Sequence, residues 1–173
     1  MLASTSLAQV NAIATDTVST AWVIASAFLI LLVLTGLLFV YSWYIGGGPL
    51  MALLLSFYAA YALYIAFPYA NLLPSAPPLT ALLAHAGFYL AIVFVFYVVM
   101  RRIVVSEFLY IGVVGLLVLS FLGASFLVAL GFHVFPVTTL YHFSPAISAL
   151  FGPDKYFFWW FVAPAIGLFF LAR

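Results

Sequence analysis

Few side chains in this sequence could carry chemistry, and their types restrict what that chemistry could be. His85 is the one His, Asp, Glu, Lys or Arg inside a long apolar run that reads as a membrane span. A group of this kind at membrane depth is a candidate for ligand or proton handling. Tyr58, Tyr61 and Tyr64 recur every three residues in the preceding run, interleaved with Ala59, Ala60 and Ala62. A tyrosine hydroxyl in hydrocarbon must find its hydrogen-bond partner within the protein. The triplet therefore reads either as the polar lining of a pathway or as an aromatic ridge bonded to neighbouring helices, and the ridge is the simpler arrangement. His133 follows the next apolar run at a depth comparable with His85, a pairing that would permit bis-histidine haem ligation or a proton relay. A neutral His85 bonded to a tyrosine or a carbonyl accounts for the residue equally well. His133, His142 and Asp154 are metal-ligand types, but their spacing matches no standard zinc pattern. No metal and no cofactor is expected.

Catalytic constellations are absent from the sequence. The three acids, Asp16, Glu107 and Asp154, fall at separate ends of the apolar runs, so a working carboxylate pair is not expected. There is no cysteine to act as nucleophile or thiolate ligand. Gly46-Gly47-Gly48 has no adjoining Lys, Ser or Thr to hold a phosphate and reads as a turn.

The elements that would position these residues follow from charge spacing. Of 173 residues, 69% are hydrophobic and 4% charged, and the mean hydropathy is +1.38. Soluble domains carry about 25% charged residues. Four basic and three acidic side chains could not cover a water-soluble globule of this size, and they form no patch able to neutralise several phosphates, which excludes nucleic acid as a partner. The partner these numbers require is the lipid bilayer.

A helix crosses the hydrocarbon layer with about 20 apolar residues. Cutting the uncharged stretches at Gly46-Gly47-Gly48-Pro49 and at the Pro68–Pro78 segment predicts spans at 21–44, 49–67, 80–100, 108–131 and 156–172. Ser19, Thr20, Thr80 and Asp154 are the expected caps, and Pro49 suits a first turn. The fifth span is short and contains Pro164. The fold class expected is an all-α, polytopic helical membrane bundle of about five transmembrane helices. Residues 1–20, small and polar without a basic leader region, read as an external amino-terminal segment rather than a signal peptide. The segment 132–155 reads as external and interfacial, with a short helix capped by Ser144-Pro145 and ended by Gly152.

Orientation follows from the basic residues, which are retained on the cytoplasmic side. Placing Arg101 and Arg102 there, as an anchor to anionic headgroups, puts the amino terminus outside and, with five spans, the carboxyl terminus inside. Gly112, Gly115, Ser120 and Gly123 fall within an arc of about 140° on the fourth span at 100° per residue. Such a small-residue face packs closely on a neighbouring helix, here the second or third span or a second copy of the chain.

From Gly46 to Arg102 the order of features resembles the bacterial colicin V production family. It runs from a glycine turn through a small and aromatic second span (Ser56-Phe57-Tyr58-Ala59-Ala60) and a Pro-bearing external loop to a third span ending in two arginines. The Gly-rich stretch Gly112 to Gly123 continues the likeness, which extends to about residue 135. The chain departs from that family in lacking an acid early in the first span and a basic residue in the glycine turn, and in its fifth apolar run. The resemblance implies a non-enzymatic inner-membrane protein linked to envelope maintenance and secretion, with no catalytic residues to carry over.

The expected function is thus structural or scaffolding within a bacterial inner membrane, without enzymatic activity. Two alternatives stand beside it. One is a small transporter or channel subunit with its path lined by Tyr58, Tyr61, Tyr64 and His85. The other is the anchor subunit of a redox complex using His85 and His133.

Overall fold

A computed structural model describes residues 28–68, 73–74, 76–103, 112–135, 137 and 144–171. The expected amino-terminal segment, the first residues of the first and fourth spans, Glu107 and His142 lie outside these. Among the described residues the chain is all helical: α1 (Leu29–Ile45), α2 (Gly47–Ala66), α3 (Pro78–Ile103), α4 (Val113–His133), the short α5 (Pro145–Phe151) and α6 (Asp154–Leu171). The helices α2, α3 and α4 are each long and apolar enough to cross a membrane. The described part of α1 has 17 residues, about 25 Å at 1.5 Å per residue, and α6 opens on the charged pair Asp154-Lys155.

The surface is what lipid requires. Leu32, Leu37, Phe94, Val114, Trp159, Phe169 and Phe170 are exposed, while the buried polar residues among those described are Ser42, Ser56, Ser120 and Ser125. Ser56 donates to the Leu53 carbonyl, Ser120 to that of Leu116 and Ser125 to that of Phe121, each within its own helix. A serine can be buried this way because the backbone takes up its hydroxyl proton.

Helix α4 is the hub. It packs extensively on α1 and on α6, and more lightly on α2 and α5, while α3 lies chiefly against α2. Eleven α4 residues are buried, among them Leu119, Ala124, Ala129 and Leu130. The pairing fixes two ends. Tyr41 of α1 meets Tyr97 of α3 at the end that carries Arg101 and Arg102. At the other end Tyr64 of α2 meets His85 of α3 and Phe135 beyond α4. These are called the arginine end and the histidine end.

Local chemistry explains where the helices start and stop. Between α1 and α2 stands the single residue Gly46, with φ at +105°, a conformation that costs glycine no side-chain clash. Pro49 falls in the first turn of α2, where its missing N–H is not needed. Helix α3 begins at Pro78, two residues before Thr80, so Thr80 lies inside the helix rather than capping it. Asp154 likewise is the first helical residue of α6 and sits in its first turn, where a carboxylate favours the helix dipole. Ser144 caps α5 by accepting the Ile147 N–H at 3.5 Å. Gly152, next to α5, keeps right-handed helical angles and donates to Ser148. Buried Ile147 and Phe151 seat α5 on Leu31, Val128 and Ala129, over the histidine end of the α1–α4 pair.

Candidate functional site

The intramembrane polar residues converge on one aromatic cluster at the junction of α2, α3, α4 and α6. Tyr58 stands between Phe126 and Phe161, with ring centroids 4.9 and 5.1 Å away, the second edge-on. Tyr61 packs 5.1 Å from Phe161 and 6.3 Å from Phe157. Tyr64 meets Phe135 at 5.7 Å and Tyr89 at 6.1 Å, both edge-to-face. These separations and tilts are those that aromatic quadrupoles favour.

The hydroxyls of Tyr58, Tyr64 and Tyr89 are spent on holding helices together. Tyr58 donates to the Phe161 carbonyl at 2.6 Å and so joins α2 to α6. The carbonyl that a proline at 164 leaves without its N–H is the one four residues back, that of Trp160, so this bond lies one residue beyond the proline gap. Helix α6 runs unbroken through buried Pro164 as an 18-residue helix. Tyr89, almost wholly buried, donates to the Phe57 carbonyl at 3.0 Å and pins α3 to α2.

At the histidine end the Tyr64 hydroxyl and His85 Nδ1 are hydrogen-bonded at 2.7 Å. His133 lies in a separate nest. Its Nε2 is 2.9 Å from the Phe151 carbonyl, which can only accept, so Nε2 carries the proton. Its Nδ1 is 3.4 Å from fully exposed Asp154, and its ring packs 4.6 Å from Phe157. Both His133 nitrogens therefore serve the joint between α4, α5 and α6. His85 and His133 take different partners, and neither His133 nitrogen is turned out as a metal ligand. Among the described residues no three His, Asp or Glu side chains form a metal-sized group.

The small-residue face is split by the structure. Gly112 is not on it: the helix starts one residue later, and Gly112 is its extended, exposed cap with open space around it. Gly115, Ser120 and Gly123 are buried. A Cβ on Gly123 would stand 2.5 Å from Leu54 Cδ2 and 3.2 Å from Leu38 Cδ1, so its neighbours are α2 and α1.

Arg101 and Arg102 end α3 exposed to solvent. Two features of this molecule escape a reading of the spacing alone. One is Tyr89, which lies one helical turn after His85 and so shares its face. The other is the Tyr41–Tyr97 hydroxyl pair; Tyr97 lies one turn before Arg101, a spacing that does place the two on one face.

Grooves of about 440, 300 and 310 Å³ open on the outside of the bundle. The largest runs between α1 and α4, along Leu32, Gly36, Phe39 and Phe121. Tyr58, Tyr61, Tyr64 and His85 line none of the three. Compared with known proteins, the chain matches no family model, no curated protein and no solved structure.

Proposed function

We propose that this chain is a five-span, non-enzymatic structural component of a bacterial inner membrane, serving envelope maintenance or secretion. The observation that carries this reading is the use made of the intramembrane hydroxyls. Tyr58 and Tyr89 donate to backbone carbonyls of neighbouring helices and Tyr64 is bonded to His85, so these groups act as struts. A transport path would need them facing water or solute. The order of features shared with the colicin V production family supports the envelope role. Partners, whether other membrane proteins or a second copy, then meet faces other than the Gly123 seam, which α1 and α2 fill.

In this reading Arg101 and Arg102 are cytoplasmic, the amino terminus and α5 are external, and α1 and α6 complete the five crossings. The absence of cysteine makes the topology directly testable with single-cysteine reporters. Ser144→Cys should be labelled by an impermeant maleimide from outside intact cells, and Arg102→Cys only after lysis. The reverse pattern overturns the orientation. Reconstituted liposomes should show solute and proton flux no faster than protein-free ones. Flux that is abolished by Tyr61→Phe with His85→Leu would replace the structural reading with transport.

A further inference from the structure

We propose that the arginine end binds the phosphate of an anionic phospholipid, held jointly by the Arg101 guanidinium and the Tyr41–Tyr97 hydroxyl pair. The two hydroxyls are hydrogen-bonded to each other, and either oxygen can be the donor. Two tyrosines bring two protons, and the bond between them uses one. The second proton has no acceptor among the described residues. Arg101 lies one turn along α3 from Tyr97 and therefore on the same face. No carboxylate among the described residues pairs with it, since the ion pair found there is His133 with Asp154 at the other end.

A surplus O–H and a guanidinium on one helix face suit an acceptor with several oxygens and negative charge. A phosphate fits, because arginine grips it through two parallel N–H···O bonds. The depth is that of lipid headgroups. Helix α3 has 26 residues, about 39 Å at 1.5 Å per residue, against a hydrocarbon layer of about 30 Å. Its last turn therefore emerges from the oil. Exposed Trp43 and Tyr44 mark the same level on α1. Positive charge at headgroup level on an apolar surface selects a lipid with an anionic head.

The test uses the full chain, delipidated in a neutral detergent and titrated with phosphatidylglycerol or with phosphatidylcholine of the same acyl chains. Bound lipid is counted by native mass spectrometry and the thermal midpoint is followed in parallel. Phosphatidylglycerol should bind more tightly and raise the midpoint further. Arg101→Gln should reduce that preference about fivefold, the worth of one basic side chain at an anionic surface, with Arg102→Gln doing less. Tyr97→Phe, which removes a hydroxyl and no charge, should also reduce it. Arg101→Lys should keep part of the preference. Equal binding of the two lipids overturns the proposal. So do equal losses in Arg101→Gln and Arg102→Gln with Tyr97→Phe unchanged, which would mean diffuse charge attraction. Equal stabilisation by glycerol phosphate, which has no acyl chain, would assign the site to a free phosphate and overturn the lipid. Far-UV circular dichroism keeps a folding defect from imitating a loss of binding.

Discussion

Two seams hold this bundle together by different means. Where α4 crosses α1 and α2, the contact is a close approach: Gly123 leaves no room for a Cβ beside Leu54 and Leu38, and Ala124 and Ala129 keep the seam narrow. Where α2 meets α3 and α6, the helices stand off by the width of aromatic rings, and tyrosine hydroxyls bond across the gap to Phe57, Phe161 and His85. Lipid tails are as apolar as leucine, so burying more leucine drives neither seam. Packing and hydrogen bonds remain, and the molecule uses one on each side. The first tolerates no added volume; the second tolerates it but depends on particular polar atoms.

That contrast can be broken most forcefully at Gly123. Gly123→Leu should destabilise the fold by about 1–3 kcal/mol, the usual cost of overpacking a full core, read as a lowered unfolding midpoint in micelles. A variant as stable as the parent would show the seam to be loose. Next is Tyr58→Phe, which keeps the ring and removes the bond that joins α2 to α6. A loss near the upper end for interhelical hydrogen bonds in membranes, about 1–2 kcal/mol, is expected. A variant as stable as the parent would show the α2–α6 contact to rest on the rings alone. Tyr89→Phe should cost about 0.6 kcal/mol, the average for such bonds, because Phe57 stays within a regular helix turn. The smallest effect belongs to Gly36→Ala. Nothing lies within 4 Å of a Cβ there, and removing glycine from a helix gains about 0.5–1 kcal/mol. A loss at Gly36 as large as that at Gly123 would erase the distinction between the seams.

How much of this was legible beforehand depends on the range of each interaction. Membrane embedding and an all-helical fold follow from scarce charge, and the α5 helix with its Ser144 cap follows from adjacent residues. Register is less legible. Gly112 reads as part of a small-residue face because the periodicity continues through it, yet α4 starts without any side-chain cap that would mark the boundary. Pro164 falls inside the expected fifth span, and α6 runs through it unbroken. The tie of α6 to α2 comes from Tyr58, more than one hundred positions away and on another helix. The hydroxyl acceptors were invisible for the same reason: Phe57 and Phe161 accept through backbone carbonyls, which carry no mark in a sequence. His133 shows the same gap, since its depth beside His85 permits a ligand pair while its nitrogens meet a carbonyl and a carboxylate that belong to the later helices.

The turn at Gly46 has a consequence for how the molecule is made. A single residue joins α1 to α2, and no charged side chain stands between them. One residue leaves no slack between the end of α1 and the start of α2, so those two ends must sit at the same level. Once both helices have formed they make a closed hairpin, and α4 packs across a pair whose relative depth is already set.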